Sequence, residues 1–453
     1  MGALNQWRGF AYVAIFLIGL ILAVLYVASL PKNPNSDPVS KNVYSSVKSF
    51  AASYTVSRTY TSKNNIVINN LWRQTEAISG GNQYACAVSN GQVFCWGDGA
   101  YGKLGNGSLS QQLNPVAVTQ AAGILADKKV SNISTGTSHT CAVANGLAFC
   151  WGYNGNGRLG NGLVSDSSNP VTVTQAAGVL AGKTVTNISA GGDHTCAIAN
   201  AQAFCWGSGS SGRLGNSSTS QQVNPVPVTQ SAGVLAGKSV TDISAGSEHT
   251  CAIANGQVYC WGLNNYGQLG TGNTNNSLIP VLVTQAAGVL AGKSVTSIST
   301  GMNSTCAVAN GQAFCWGWNY IGQLGTGNTN NSLVPVPVTQ AAGVLAGKTV
   351  TSISTRAIHV CAVANGQAFC WGEGSAGRLG HGVANSSSAP VAVNVSGVFA
   401  GKTVSSITAS THNSCAIANG RAYCWGWNNY GQLGEGTTVL QKLAPHRVND
   451  SYY

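Results

Sequence analysis

The sequence predicts an all-β fold, a seven-bladed β-propeller of four-stranded blades, preceded by one N-terminal transmembrane helix. Three observations carry this prediction. Fourteen cysteines fall into seven pairs of one spacing, each pair brackets a hairpin signal that is apolar on both faces, and an uncharged stretch of membrane-spanning length precedes them all.

The pairs are Cys86 with Cys95, Cys141 with Cys150, Cys196 with Cys205, Cys251 with Cys260, Cys306 with Cys315, Cys361 with Cys370 and Cys415 with Cys424. Successive pairs are 55 residues apart, with a last step of 54, so one motif is written seven times between about Ile66 and Val448. Asn-Gly stands at the middle of every pair except the third, which has Asn200-Ala201. Asn-Gly favours a two-residue hairpin because both turn residues need positive φ. A turn at Asn90-Gly91 pairs Ser89 with Gln92, Val88 with Val93, Ala87 with Phe94 and Cys86 with Cys95. The cysteines then form a non-hydrogen-bonded pair with Cα atoms about 4.5 Å apart, within disulfide reach. Seven cross-strand disulfides are expected, with no cysteine left over.

Zinc is the other use of paired cysteines, but zinc sites need Cys-x2-4-Cys spacing or converging histidines. His139, His194, His249 and His359 stand two residues before the first cysteine, where Tyr84, Ser304 and Asn413 stand in the other copies. A position that accepts those substitutes serves packing, so neither a metal nor a cofactor is expected. Disulfides persist in oxidising compartments, which places the repeats outside the cell.

Four strands per copy are legible in the third: TVTNIS (184–189), HTCAIA (194–199), QAFCWG (202–207) and VNPVPV (223–228). Ile198 and Ala203 share the cysteine face, while Ala197 and Phe204 share the other. A sheet apolar on both faces must be covered on both, and seven such sheets packed side by side close into a ring. A linear solenoid would need atypical polar caps, yet the first and seventh copies are ordinary.

Residues 10–30 (FAYVAIFLIGLILAVLYVASL) carry no charge. At about 1.5 Å per residue they cross a hydrocarbon core of about 30 Å. The expected order is a short cytoplasmic tail at 1–9, the anchor at 10–30, a polar stalk or linker at 31–65 and the propeller at 66–453. A cleaved signal peptide, which would leave the ring secreted, is the alternative, but its apolar core is shorter and no good small-x-small site follows here. Arg8 alone precedes the segment while Lys32, Lys41 and Lys48 follow it, against the positive-inside tendency, so the cysteines decide the orientation. Arg8-Gly9-Phe10 before an apolar helix also resembles a type IV pilin leader, with Ala14 where that family carries Glu.

Beyond each hairpin the chain reads CWGLNNYGQLGTG (260–272), CWGYNGNGRLGNG (150–162) and CWGWNNYGQLGEG (424–436), then a Pro-Val strand and a segment like GVLAGKSVTSIS. This resembles the repeat of the regulator of chromosome condensation family, with its Trp-Gly, its Gly-Gln-Leu-Gly and a His-Thr ahead of the next hairpin. The resemblance spans all seven copies. It implies a propeller that binds protein through one face. The eukaryotic namesake exchanges nucleotide on a small GTPase and touches chromatin. Here the copies have nearly equal length, no insertion offers a wedge, and no position carries over as an exchange residue.

Charged residues make up 7% of the chain against roughly 25% in a typical soluble protein. The formal charge is +11; residues 1–65 hold six cations and one acid, leaving sixteen and ten, or +6, for the remainder. No dense basic cluster appears, so nucleic-acid binding is not expected. The acids Asp98, Asp166, Asp193, Glu248, Glu373 and Glu435 are scattered, and no nucleophile, phosphate-loop or metalloprotease motif is present. The chain reads as a binder and not as an enzyme, the alternative being a propeller hydrolase or lyase with its site in the central mouth.

Strand order puts the loops joining strands one to two and three to four on one face of the ring. There the copies diverge, and the candidate partner-binding residues are Tyr101, Tyr153, Asp193, Glu248, Tyr266, Met302, Trp318, Tyr320, Ile358, Trp427 and Tyr430. The opposite face carries a cation at one repeat position throughout: Arg73, Lys128, Lys183, Lys238, Lys293, Lys348 and Lys402. These are candidates for binding an anionic polymer, or simply for keeping a low-charge surface solvated.

Overall fold

Asn90 and Gly91 turn the first hairpin with φ of 52° and 71°, joining β2 (Tyr84–Ser89) to β3 (Gln92–Gly97). The computed structural model describes residues 74–452, apart from 119–123, 175–177, 230–233, 285–288, 340–342 and 395–396. The expected tail, anchor and stalk, and Arg73, lie outside the described residues; among the described residues no helix is long and apolar enough to cross a membrane.

The hairpin register is the one expected from the turn: Ser89 opposes Gln92, Ala87 opposes Phe94 and Cys86 opposes Cys95. β1 (Thr75–Gly80) adds to β2 and β4 (Gln112–Ala117) adds to β3, giving an antiparallel four-stranded sheet in sequence order. Six further sheets repeat this plan, so the blades span 75–117, 130–172, 185–227, 240–282, 295–337, 350–392 and 404–447. Strands of the third blade lie within one residue of expectation at Val185–Ala190, His194–Ala199, Gln202–Gly207 and Gln222–Pro227.

All seven expected disulfides are closed, each within its own hairpin. Cys86 is bonded to Cys95, Cys141 to Cys150, Cys196 to Cys205, Cys251 to Cys260, Cys306 to Cys315, Cys361 to Cys370 and Cys415 to Cys424. Their Cα atoms stand 4.0–4.1 Å apart. This is slightly closer than the 4.5 Å typical of a non-hydrogen-bonded pair.

The core lies in the seams between blades. The disulfide face of blade one, with Cys86, Val88, Val93 and Cys95, packs on Ala142, Ala144, Phe149 and Trp151 of blade two. Each hairpin is thus sandwiched, as its two apolar faces require. Every Trp-Gly tryptophan is fully buried. Burying one removes roughly 150–250 Å² from water, worth about 4–6 kcal/mol at 25 cal/mol per Å².

The indole N–H is satisfied across the seam. Trp151 donates to the Lys103 carbonyl at 3.0 Å, Trp206 to Arg158 at 2.9 Å, and Trp261, Trp316, Trp371 and Trp425 do the same to Arg213, Gln268, Gln323 and Arg378. Those acceptors sit in the Gly-x-Leu-Gly turn of the preceding blade. The turn's second glycine must bring its backbone against the ring: a Cβ on Gly160, at φ +67°, would stand 2.5 Å from Trp206 Nε1.

Blade seven is built entirely from the C-terminal copy, so the ring closes without exchanging a strand. The closing seam is an ordinary one. Ile78, Ala87, Phe94 and Trp96 meet Cys415, Ile417, Cys424 and Leu433, and Gly80 N donates to Thr408 Oγ1 at 3.2 Å.

Candidate functional site

The loops between strands one and two, and between three and four, meet at one end of the ring through backbone bonds such as Tyr153 N to Ser138 O at 2.8 Å and Trp318 N to Asn303 O at 2.9 Å. Rigid strands therefore carry the divergent loops on a fixed frame. Of the candidate residues, Tyr320 is 74% exposed, Tyr101 50%, Met302 42% and Tyr266 39%. Tyr153, Trp318, Trp427, Tyr430 and Ile358 are half-buried.

The aromatics form three groups. Tyr101 of blade one meets Tyr153 of blade two with ring centroids 4.9 Å apart. Tyr266 of blade four meets Trp318 of blade five at 6.0 Å, and Trp318 lies nearly parallel to Tyr320 at 6.2 Å. On blade seven Trp427 contacts His412 at 5.0 Å and Tyr430 at 5.7 Å. The first two groups straddle seams, so these rings both cover a blade edge and offer apolar surface.

Asp193 and Glu248 are held in ion pairs. Arg158 Nη2 lies 2.8 Å from Asp193, and Arg213 reaches Glu248 at 3.0 Å and Asp193 at 3.9 Å. The guanidinium of Arg158 also lies 4.5 Å over the Tyr153 ring. These arginines are nearly fully buried, and burial lowers their pKa while the neighbouring carboxylates oppose that shift. Arg158 donates to Gly192 O, Arg213 to Ser247 O and Arg378 to Thr411 O, each in the following blade. The arginine of Gly-x-Leu-Gly thus pins the next loop, whereas Lys103 bonds Asn82 O and Asp98 of its own blade.

The histidines ahead of the hairpins also cross seams. His139, His194 and His249 place Nε2 at 2.8–2.9 Å from Thr195, Thr250 and Thr305 of the next blade, and His359 reaches Ser414. Thr195 Oγ1 donates its one proton to Arg158 O, so it accepts from His139 Nε2–H, leaving Nδ1 unprotonated. Among the described residues no group of His, Cys, Asp or Glu could hold a metal.

On the axis at this face lies a cavity of about 190 Å³, lined by Asn82, Thr137, Gly192, Met302, Arg356 and Thr411 among others. At the other face Lys128, Lys183, Lys238, Lys293, Lys348 and Lys402 are half-buried. Three of them hold Nζ about 6.0 Å over Phe314, Phe369 and Tyr423 of their own blades. Their stems cover ring surface while the ammonium stays wet.

Residues 61–402 match the RCC1-like domain, and residues 419–452 match the regulator of chromosome condensation (RCC1) repeat. The chain belongs to the RCC1-repeat family. It is 30% identical over 328 residues to the ultraviolet-B receptor UVR8 of Arabidopsis thaliana, covering 71% of this chain and 70% of that one. It is also 30% identical over 358 residues to the human E3 ubiquitin-protein ligase HERC2, where the match spans 78% of this chain and 7% of the ligase. Among solved structures, human WBSCR16 superposes with a TM-score of 0.68 at 22% identity, over 79% of this chain and 94% of that one. Prp20p of Saccharomyces cerevisiae gives 0.67 at 22%, over 84% and 88%. Both show the same fold.

Four arginines of this RCC1-type ring, Arg158, Arg213, Arg378 and Arg356, were not among the candidates that the sequence singled out. The first three were visible as basic residues inside Gly-x-Leu-Gly, where three copies have Gln268, Gln323 and Gln432. Arg356 was visible as an arginine where Gly81, Gly136, Gly191, Gly246 and Gly301 stand in other copies.

Proposed function

We propose that this RCC1-type ring is a protein-binding module held outside the cell by the apolar segment at 10–30, and that it recognises its partner through the face bearing the aromatic loops. The observation that carries this reading is the seating of exposed Tyr101 and Tyr266 on seams held by buried tryptophans, Trp151 bonded to Lys103 O and Trp316 to Gln268 O, with exposed Tyr320 stacked on Trp318 beside them. Preorganised aromatics bind with little loss of side-chain freedom and dominate interface hot spots. Prp20p, with the same fold, has binding properties to Gsp1p and histones. Seven buried disulfides favour an oxidising compartment.

The test is capture of partners from the surface fraction of the source cell by the full chain in detergent, wild type against a Tyr101→Ser, Tyr266→Ser, Tyr320→Ser triple variant. Loss of the captured protein with an unchanged melting temperature is expected. Undiminished capture would move recognition elsewhere. A second reading, an anionic polymer held by the lysine face, is favoured by the lack of any carboxylate paired with those six lysines among the described residues. It requires affinity to fall steeply between about 50 and 200 mM salt.

A further inference from the structure

Six of the seven blades close the turn after their first strand with the same backbone bond, Gly81 N to Tyr84 O at 2.8 Å in blade one and Ser410 N to Asn413 O at 2.9 Å in blade seven. Blade six departs from this. Arg356 follows its first strand, Val350–Thr355, and makes no such bond to His359. The next residue in four of the loops also builds a belt around the axis: Thr137 N donates to Gly191 O at 3.2 Å, Gly192 N to Gly246 O at 3.0 Å, Ser247 N to Gly301 O at 3.1 Å, and Thr411 N to Gly81 O at 3.4 Å. The belt is open on both sides of blade six and also between blades one and two, where Asn82 N makes no such bond to Gly136 O. The N–H groups of Met302 and Ala357, which the pattern would aim at Arg356 and Ser410, have no hydrogen-bond partner among the described residues.

Arg356, Met302 and Ala357 all line the axial cavity. The guanidinium has neither a carboxylate nor a hydrogen-bond acceptor among the described residues. Desolvation lowers its pKa, and its charge is felt by Tyr84 of blade one and His139 of blade two. Among the described residues no Asp or Glu lines the cavity. Arg356 is half-buried, and a partly desolvated cation without a counter-charge, beside backbone donors that also lack partners, offers what an anion would satisfy. The cavity of about 190 Å³ equals roughly six waters at about 30 Å³ each, enough for the end of one acidic side chain.

We propose that the axial mouth is a carboxylate site, in which Arg356 and the freed N–H groups of Met302 and Ala357 take one acidic side chain of the protein docked on this face. The site rests on the protein-binding reading above and adds the chemistry at its centre. A planar carboxylate suits the guanidinium fork.

The experiment is isothermal titration of the full chain in detergent at constant ionic strength with three probes: the capped peptide Gly-Gly-Glu-Gly-Gly, its Gln counterpart, and sodium acetate. The Glu peptide should bind at least tenfold tighter than the Gln peptide and tighter than acetate. Arg356→Gly, which installs the residue of five other copies and so should fold, should erase the difference; Arg356→Lys should keep part of it. Equal binding of the two peptides, or wild-type discrimination by Arg356→Gly, overturns the site. Acetate binding as tightly as the Glu peptide overturns the partner-borne source. If Arg356→Gly captures the cellular partner at full strength while the triple tyrosine variant does not, the axial site falls and the aromatic face stands. If the peptides discriminate but the tyrosine variant still captures, the aromatic face falls instead.

Discussion

Trp96 in the first blade donates its indole N–H to the Gln432 carbonyl in the seventh at 3.0 Å, 336 residues away in sequence. The bond that joins every adjacent pair of blades is therefore also the one that shuts the ring. Trp96→Phe keeps most of the buried ring surface but leaves a buried carbonyl unpaired, at a cost of about 1–3 kcal/mol. Trp371→Phe in an internal seam should cost the same within about 0.5 kcal/mol, because its 3.0 Å bond to Gln323 O is likewise the one bond that carbonyl accepts among the described residues. Chemical denaturation of both variants checks this; a much smaller loss for Trp96→Phe would mean that the closing seam is weaker than the rest.

The third hairpin turns through Asn200 and Ala201, with φ of 48° and 60°. An alanine held in the left-handed region carries roughly 1–2 kcal/mol of strain that glycine does not. Ala201→Gly should raise stability by about 1 kcal/mol, measured as a higher melting temperature. The same substitution at Ala203, a buried strand residue, should lower it.

Oxidised protein should weigh fourteen hydrogens less than the reduced chain, with each bridge mapping inside its own hairpin. Replacing Cys251 and Cys260 together by alanine should cost about 2–3 kcal/mol, since the bridge closes a loop of roughly ten residues. Free thiols in protein taken directly from the cell surface would contradict both the bridges and the oxidising compartment.

Acid should unfold the ring early. Burial, helped by nearby arginines, holds His139, His194 and His359 well below their usual range and His249 at about 3. The unfolded chain takes up these protons near pH 6.5 and the folded one does not. The stability is present above pH 6.5 and is lost as pH falls, by about 1.4 kcal/mol per pH unit for each histidine. Melting temperature against pH should drop steeply below pH 6, and His249→Gln should flatten that limb.

Asp242 acts in the opposite sense. Burial raises its carboxyl to about 6, although Asn187 Nδ2 and two backbone N–H groups donate to it. The folded state holds that proton more tightly than the unfolded one, so stability falls as pH rises from about 4 to 6 and stays lower above. Asp242→Asn should therefore stabilise the ring by about 1–3 kcal/mol at pH 7.5 and have little effect at pH 4. Equal shifts at both pH values would show that the carboxyl does not titrate in this range.

The blade was legible before the fold was known. Asn90-Gly91 set the hairpin register, the register put Cys86 opposite Cys95, and alternation along Ala197 and Ile198 announced two apolar faces. Those relationships are local, spanning about ten residues, and repetition carried the same pairing to Cys150, Cys205, Cys315 and Cys370. The seams were less legible. Nothing in the spacing of Trp206 and Arg158 says that one donates to the other's carbonyl, because they meet only when separate sheets stack. The candidate face was partly legible: divergence marked Tyr101 and Tyr320, but whether a ring such as Trp318 stands free or leans on Tyr266 depends on the next blade.

By itself, then, the sequence determined the blade, its disulfide and the number of copies, since each follows from turn chemistry and side-chain alternation within one hairpin. Only the tertiary structure decided how the ring closes and what its axis holds. Arg356 and three of the glycines that stand in its place elsewhere, Gly191, Gly246 and Gly301, come at successive steps of 55 residues along the chain, and they line one cavity solely because seven blades meet around a common centre.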